Sequence, residues 1–452
     1  MPEIRPFRAL RYASDAIPDL TRVVAPPYDV ISPAEQTALA ARDPHNVVRL
    51  DLPPDEPGDG PDDRYRRAAR TLAAWRSDGT FRKDPRPSIY PYEQAYVVPA
   101  TGQARVQRGF FARLRLEAFG PGSGVRPHER TMSAPKEDRY KLLRATGANL
   151  SAVVVLYEDP SGVATGLLGR VMDQPAEADV IDDDGVRSRL WSVTPGIAAP
   201  EAAAADEAAD SDDPARALMA AAGRAPVTIA DGHHRYETAL RYRDERRMTR
   251  SCEEEPPFDY LLALFLETTR EPPTILPTHR IARGVGPGGL ADLAGALDGL
   301  FEVRPVASPE ALIETMVATP SPPGGGRFGL LMRDAARLLE ARRERFEPFL
   351  PAGGAALRGL DVTLLGIALE RLLGIDAAAV VAGERIAYTR SATEAAARVA
   401  DRTDGADAAF LLDPTPVGGL LAVAADGDVM PQKSTYFYPK PLTGLVIDPH
   451  EW

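Results

Sequence analysis

The segment 227–240, VTIADGHHRYETAL, joins an apolar run to a glycine turn and a cluster of polar side chains. The apolar run predicts a strand, and the residues after the turn predict a helix that begins near His233. A helix N-terminus offers free N–H groups and a positive dipole end, and a glycine lets the backbone approach a ligand closely. We therefore predict a phosphate- or carboxylate-binding turn made of Gly232, His233, His234 and Arg235.

Asp231 stands directly before this turn, and its carboxylate suits three roles. It can cap the helix, bind Mg²⁺ or act as a general base. Adjacent histidines point to different faces of a helix, so His233 and His234 are not expected to share one metal ion. The alternative is that Asp231 only caps the helix and the two histidines are surface residues.

A second polar cluster, RPHERTMSAPKEDRYKLL at 126–143, leads into another predicted helix. Within it, Glu129 or Asp138 is suited to act as a base or metal ligand, and His128 is a further catalytic candidate. The side chains suited to neutralise phosphate oxygens are Arg130, Lys136 and Arg139. The alternative is a solvated loop and a helix start capped by Ser133.

The segment 429–447, VMPQKSTYFYPKPLTGLVI, combines lysines, hydroxyls and aromatic rings. Lys433, Ser434 and Thr435 resemble the end of a P-loop, but the upstream glycines are missing, so a Walker-type site is rejected. The aromatic residues predict a strand that docks this segment on the fold, from which Lys433 reaches a site as a catalytic cation.

Other polar residues follow short apolar runs, where loops present functional groups. We predict that these residues bind substrate, together with Ser434 and Thr435: Tyr28, Asp29, Asn46, Arg49, His279 and Arg280. There is no GxGxxG after a strand, no GxSxG, no HExxH and no cysteine pair. The single cysteine, Cys252, lies in an acidic stretch that disfavours a reactive thiolate.

The elements that must position these residues follow from hydrophobic periodicity and turn chemistry. Alternation predicts a strand over 46–53, and VVAPPYDVIS at 23–32 predicts two short strands about a Pro-Pro turn. Apolar residues at helical spacing predict a helix over 64–77. The remaining predictions here are hairpins over 88–119 and 180–193 and a strand over 150–159.

Composition restricts the function classes. The chain has 452 residues and a net charge of -12, which disfavours binding to nucleic-acid backbones. No apolar run is long enough for a membrane helix, and the N-terminus lacks a signal-peptide core, so we expect a cytoplasmic protein that binds no membrane. Lysine is scarce, with five against 48 arginines, and four of the five lie in the two clusters at 126–143 and 429–447.

The texture of the sequence changes near residue 285. We predict an N-terminal mixed α+β domain over 1–285 that carries most of the motifs. Strands and helices alternate over 286–452, which predicts an α/β region whose tail, 430–447, returns to the site. An Ala/Asp-rich stretch at 201–213 is interpreted as an enlarged connection.

Taken together, the motifs resemble the bacterial and archaeal proteins that carry the domain of unknown function 1015, nearly end to end. The motifs that carry the resemblance are IRPFRALRY (4–12), VVAPPYDVIS (23–32), NVVRLDLP (46–53), HERTM (128–132), KEDRYKLLRAT (136–146), LWSV (190–193), ADGHHRYETAL (230–240), LPTHR (276–280), MPQKSTYFYPK (430–440) and TGLVI (443–447).

The strand–turn–helix at Gly232 also resembles, more distantly, the phosphate-binding motif of the ParB/sulfiredoxin-like superfamily, which includes nucleotide-dependent free-serine kinases. This resemblance implies a mixed α/β or α+β fold in which a ParB-like nucleotide site sits within a larger mixed sheet. It implies that residues 232–235 touch phosphates. The cysteine that sulfiredoxin chemistry requires is missing from this loop, and no DNA-binding helix-turn-helix is present.

These features lead to the hypothesis of a phosphotransferase that uses ATP or ADP with Mg²⁺ and acts on a small hydroxylated metabolite, such as free serine. In this hypothesis Glu129 or Asp231 accepts the proton of the substrate hydroxyl. Two alternatives use the same site: a non-catalytic nucleotide- or anion-sensing protein, and a phosphoester hydrolase. The hypothesis requires that the clusters at 128–139, at 231–235 and at Lys433 converge on one pocket.

Overall fold

The structure, a computed structural model, describes residues 1–129, 133–196, 213–249, 255–319 and 324–450. Arg130, Cys252 and most of the Ala/Asp-rich connection lie outside the described residues. Within these ranges, no helix combines the length and apolar character needed to cross a membrane.

The part of the chain before residue 285 is rich in strands. Its strands are β1 (Ile4–Arg5), β2 (Leu10–Tyr12), β3 (Phe81–Lys83), β4 (Tyr90–Val97), β5 (Ala104–Arg115), β6 (Val125–Arg126), β7 (Ala148–Asn149), β8 (Val153–Tyr157), β9 (Ala178–Ile181), β10 (Arg187–Leu190), β11 (Val227–Asp231), β12 (Tyr260–Glu267), β13 (Thr274–Leu276) and β14 (His279–Arg283). Its α-helices are α1 (Pro33–Arg42), α2 (Val48–Asp51), α3 (Asp63–Ser77), α4 (Ser133–Thr146), α5 (Val163–Met172), α6 (Pro214–Ala222) and α7 (His233–Thr249).

The following part alternates helices and strands. Its strands are β15 (Phe301–Val306), β16 (Arg327–Met332), β17 (Ala335–Ala341), β18 (Ile386–Thr389), β19 (Ala406–Leu412), β20 (Tyr436–Tyr438) and β21 (Asp448–Pro449). Its α-helices are α8 (Gly286–Ala296), α9 (Pro309–Ala318), α10 (Arg343–Phe346), α11 (Ala355–Gly359), α12 (Asp361–Leu373), α13 (Ala377–Ala382), α14 (Ala392–Ala400) and α15 (Val417–Ala425). Short 3-10 helices lie at Leu20–Arg22, Tyr28–Val30, Pro257–Asp259, Leu297–Gly299, Glu347–Phe349 and Thr403–Gly405.

Among the described residues, a mixed sheet of nine strands has the order β6-β11-β8-β12-β5-β4-β10-β9, with β1 paired to β5. The pairs β6–β11 and β8–β12 are parallel and the other pairs are antiparallel. Strand β12 is buried along its whole length. Ala263 and Phe265 on one face pack with α5, α6 and α7, while Leu264 on the other face joins the largest core cluster. A strand covered on both faces reads as a continuous apolar run, as YLLALFLE does.

A second sheet of six strands in the described part of the chain has the order β15-β17-β16-β19-β14-β18. All its pairs are antiparallel. The alternation of strands and helices pointed to α/β in this region, and this local expectation was wrong for the sheet. The pattern missed β17, which forms a tight hairpin with β16, so the neighbouring strands run in opposite directions without a crossover helix. As a whole, the protein is a mixed α/β structure around a large mixed sheet.

After α15 the chain returns to the first sheet. Strand β20 pairs with β13, β21 pairs with β7, and Thr443 and Ile447 form single bridges to Ala25 and Leu10. Near its end, Asp448 is fully buried and accepts from the Arg113 guanidinium at 2.7 Å. We call residues 430–450 the return segment; it brings Lys433 and Lys440 against the first sheet.

Several local predictions are confirmed. The hairpins β4–β5 and β9–β10, strand β8, helix α3, and the β11–turn–α7 unit occur where hydrophobic periodicity and turn residues placed them. Ser32 and Glu35 form the reciprocal capping box expected at the start of α1.

Two predictions at the N-terminal motifs were wrong. Residues 46–53 form the short helix α2 rather than a strand, because the Asn46 side chain accepts from the N–H of Val48 at 3.0 Å and nucleates a turn. The predicted strands at 23–31 are replaced by a 3-10 helix, Tyr28–Val30, with one bridge at Ala25. Pro27 precedes that helix with φ of -61°, which removes a donor that a strand pair would need.

Candidate functional site

A cleft of about 1090 Å³ lies between the first sheet, the return segment and the β18–α14 junction. It gathers residues from three of the polar clusters that the sequence singled out. The predicted site residues that line it are Tyr28, Asp29, His128, Glu129, Asp231, Gly232, His233, His234, Arg235, Lys433 and Thr435. The clusters at 128–129, 231–235 and 433–435 therefore converge.

The turn between β11 and α7 forms the floor of this cleft. Gly232 has φ of 89°, a conformation that favours glycine. The Arg235 guanidinium packs on this glycine, and a Cβ there would stand 2.9 Å from Nε of Arg235. Helix α7 begins at His233, so the N–H groups of its first turn lie at the cleft.

Asp231 is held by two cations. Oδ1 accepts from Nζ of Lys440 at 2.6 Å, and Oδ2 accepts from Nη2 of Arg235 at 2.7 Å. Burial by itself would raise the pKa of Asp231, but Lys440 and Arg235 outweigh it and hold this pKa well below the ordinary range. The same contacts keep Lys440 charged, because Asp231 and Asp29 overcome the effect of burial and raise its pKa. Asp231 is therefore an ionised, fully engaged carboxylate.

Glu129 follows β6 and pairs with the return segment. The chain at 129 forms a bridge with Met430, and Oε1 of Glu129 accepts from the Lys433 N–H at 3.1 Å. Lys433 has φ of 59°, the left-handed region. Burial raises the pKa of Glu129 to about 7, although the backbone donors and charge of Lys433 act in the opposite direction. Glu129 is thus the cleft carboxylate poised to exchange a proton near neutral pH.

Two histidines connect these parts beneath the surface. Nδ1 of His128 lies 2.5 Å from the Ile229 carbonyl, so that nitrogen donates and Nε2 accepts from the Thr435 hydroxyl at 3.0 Å. Nε2 of His233 accepts the His128 N–H at 3.2 Å. Burial lowers the pKa of His128 to about 4 and that of His233 well below its usual value. Both rings are neutral, and both position the cleft wall.

Tyr28 lies against the guanidinium of Arg139, whose Cζ is 3.8 Å from the ring centroid. Burial raises the pKa of Tyr28 to about 12, so its hydroxyl keeps its proton. Behind this pair, Arg139 donates to the carbonyl of Asp51 at 2.6 Å. Arg139 therefore supports Tyr28 from behind and is not among the residues that line the cleft.

The other predicted site residues do not line the cleft. Asn46 donates to the Arg22 carbonyl at 2.8 Å and Arg49 to the Ala40 carbonyl at 2.6 Å, so both brace the loop below Tyr28. His279 accepts from the Leu412 N–H within the second sheet. The remaining members of this group are Lys136, which pairs with Glu237, Arg280, which donates to the Thr278 carbonyl, and Ser434, whose hydroxyl donates to the Pro431 carbonyl.

The cleft also contains residues that the sequence did not assign to a site. Lys440 had a signal, because it is one of five lysines in the chain. Its Nζ lies 4.7 Å from the ring centroid of Tyr436, and the guanidinium of Arg390 lies 4.0 Å from the same ring. The others, which had no signal, are Val97, Asp184, Leu276, Tyr388, Tyr436 and Tyr438. They come from hairpins and junctions whose position depends on the tertiary fold.

The fold and the cleft define a mixed α/β protein with a cation-rich, anion-compatible site at a strand–turn–helix. Residues 4–363 match the family described as "Protein of unknown function (DUF1015)", and the chain belongs to that family. The matched range ends before the return segment that supplies Lys433 and Lys440.

Solved structures offer a weaker likeness. The chain is similar to a free serine kinase in complex with AMP at 11% identity and a TM-score of 0.33, over 69% of this chain and 83% of that chain. A conserved hypothetical protein from Pyrococcus furiosus shares 12% identity with a TM-score of 0.33, over 72% of this chain and 91% of that chain. SbnI with a C-terminal truncation, from Staphylococcus aureus, shares 11% identity at 0.33, over 72% and 83%. Such low TM-scores carry no conclusion about activity. No curated protein matches the sequence at a significant level.

Proposed function

We propose that the cleft binds a nucleotide and transfers its terminal phosphoryl group to a hydroxyl of a small metabolite, such as free serine. The observation that carries the proposal is Glu129. Its carboxyl group has a pKa of about 7 and shares a cleft with a helix N-terminus and two ammonium groups, those of Lys433 and Lys440. A base of that pKa beside an anion-compatible turn is suited to phosphoryl transfer.

The proposed phosphate site is the turn at Gly232. The first-turn N–H groups of α7 provide donors and a positive dipole end, and Gly232 leaves room for a phosphate oxygen. Lys440 and Arg235 add positive charge beside it, part of which Asp231 neutralises. Lys433 is exposed at the opposite side and can approach the transferred group.

In the proposed step, Glu129 accepts the proton of the substrate hydroxyl while the hydroxyl oxygen forms a bond to the terminal phosphorus. The bond from that phosphorus to its bridging oxygen breaks, and the electron pair leaves with the nucleotide. Charge that develops on the transferred group is stabilised by Lys433 and the α7 N-terminus. Asp231 is the poorer base, because two cations hold its pKa low.

ATP or ADP is the proposed phosphoryl donor. The residues present do not fit a protein-bound Mg²⁺ at Asp231, since both of its oxygens accept from cations. Within the described residues, no group of three His, Cys, Asp or Glu side chains is arranged to hold a metal ion. No step of the proposed reaction is assigned to a metal held by the protein.

The test compares wild type with Glu129→Gln in nucleotide binding and in phosphoryl transfer to a panel of hydroxylated amino acids and polyols. The proposal expects nucleotide affinity to be retained and transfer to fall by about 100-fold or more. Binding without transfer in wild type would instead indicate a sensor. Release of phosphate without an acceptor would indicate a hydrolase, and the absence of nucleotide binding would overturn the proposal.

A further inference from the structure

The cleft changes character along the ribbon that β13 and β20 form. Tyr436 and Tyr438 alternate with the buried Phe437, so their side chains share one face of the strand, about 7 Å apart. Tyr436 lies between Arg390 and Lys440. Tyr438 instead packs edge-to-face on Tyr96, with ring centroids 5.5 Å apart. The ribbon therefore leads from the charged part of the cleft to an aromatic part.

Apolar side chains surround this aromatic part. Val97, Pro99 and Ala100 follow the end of β4, and Leu276 ends β13; with Tyr438 we call these five residues the apolar end. Val97 is 56% exposed, which is unusual for a branched aliphatic side chain beside a polar cleft. An exposed apolar patch inside a concave polar site is typical of a surface that a ligand covers.

One carboxylate faces the apolar end. Asp184, in the turn of the β9–β10 hairpin, lines the same cleft. After burial, its charge is the first-ranked cause that raises the pKa of Tyr438, which places the two side chains near each other. An ionised carboxylate accepts hydrogen bonds and donates none, so it selects a ligand edge that carries an N–H or O–H.

We propose that the apolar end binds the nucleobase of the nucleotide, with the base against Tyr438 and Val97 and its exocyclic amino group donating to Asp184. The inference rests on the proposed function, because it takes the phosphates to lie at Gly232. An amino-bearing base such as adenine fits both the flat apolar wall and the acceptor at its edge.

The first experiment measures binding of ATP and of inorganic tripolyphosphate by calorimetry. Val97→Asn and Tyr438→Ala are expected to weaken ATP binding at least tenfold and to leave tripolyphosphate binding within twofold. The matched control is Val106→Asn, because Val106 is also exposed, at 43%, on the adjacent strand β5 but lies outside the cleft. The control is expected to bind both ligands as wild type does.

The second experiment compares ATP with ITP, in which an oxo group replaces the amino group. Wild type is expected to prefer ATP at least tenfold, and Asp184→Asn is expected to reduce that preference below threefold. Asp183→Asn, at the exposed neighbouring position, is the control and should keep the wild-type preference.

The outcomes separate this inference from the proposed function. If wild type binds ATP but the variants of the apolar end bind it equally well, the base lies elsewhere and only the inference is overturned. Equal affinity of wild type for ATP and ITP would remove Asp184 from base recognition. If wild type binds neither ATP nor tripolyphosphate, the proposed function fails as well.

Discussion

The backbone N–H of Lys433 donates to Oε1 of Glu129 at 3.1 Å, and Lys433 does so from a left-handed conformation with φ of 59°. In this conformation successive N–H groups turn toward one side, and Ser434 adds a second backbone donor to the same carboxylate. The left-handed conformation is costly for a residue with a Cβ. Lys433 therefore holds the candidate base through its backbone as well as facing the cleft with its ammonium group.

Replacing Lys433 by Gly or by Ala separates these two contributions. Both variants lose the ammonium group, but only Gly adopts a positive φ without strain. We expect a higher Glu129 pKa in Lys433→Ala than in Lys433→Gly, because lost N–H donors disfavour the carboxylate. The pKa is measured by titration of the carbon-13 signal of Glu129, identified by its absence in Glu129→Gln. Equal pKa values would mean that the backbone conformation does not hold Glu129.

The raised pKa of Glu129 predicts a pH dependence of transfer. The base must be ionised, so kcat/KM should rise about tenfold per pH unit below pH 7 and level off above it. Nucleotide binding should change much less over the same range. A rate that is flat between pH 5.5 and 7 would exclude Glu129 as the base.

The same group affects stability in the opposite sense. Because the folded protein binds the Glu129 proton more tightly than an ordinary glutamate with a pKa of 4.5, the stabilisation present at low pH is lost as the pH rises through about 7. Glu129→Gln removes this loss. We expect it to raise Tm relative to wild type at pH 8 and to have little effect at pH 4.5. Thermal unfolding at both pH values checks the difference.

Gly232→Ala should disturb the phosphate turn beyond the backbone cost. The new Cβ would stand 2.9 Å from Nε of Arg235, so the guanidinium must move. Gly147→Ala is the control, because Gly147 also has a positive φ, 59°, but a Cβ there meets nothing within 4 Å. Both variants should lose about 1–2 kcal/mol of stability. Only Gly232→Ala should weaken nucleotide binding, by tenfold or more in calorimetry; equal affinities would place the phosphates elsewhere.

Lys440→Met should destabilise the fold, because it leaves Asp231 with one cationic partner in a largely buried site. We expect a loss of roughly 3 kcal/mol in denaturant unfolding. Lys141→Met removes a cation from the exposed pair with Asp62 and should leave Tm nearly unchanged. Adding Asp231→Asn to Lys440→Met should recover much of the stability. If it does not, the pair with Asp231 is not what makes Lys440 important.

Local patterns predicted the parts of the site that lie close together in sequence. The β11 strand, the turn at Gly232 and the start of α7 all follow from a short apolar run, a glycine and helical spacing. The same kind of reasoning failed at 46–53, where one side-chain bond from Asn46 to the backbone outweighs an alternating pattern. It also could not separate residues that face the cleft from those, such as Arg139, that support it from behind.

The composition of the cleft depends on long-range pairing. Tyr388 and Arg390 come from the β18–α14 junction, and Val97 and Asp184 from hairpins, so none of them has a signal in its own neighbourhood. Lys440 is the exception, since lysine scarcity indicated it. Whether the residues that line the cleft bind ligand stays a prediction, and Arg130 lies outside the described residues.

The pairing of the return segment with the first sheet also bears on biosynthesis. Residues 430–450 emerge from the ribosome after every strand of both large sheets, yet Ile447 bridges to Leu10 and Lys440 pairs with Asp231. A nascent chain can therefore complete its first sheet and still lack two of the cations that face Glu129. The cleft becomes competent only as one of the last steps of translation, so incomplete chains carry the proposed base without the site that would use it.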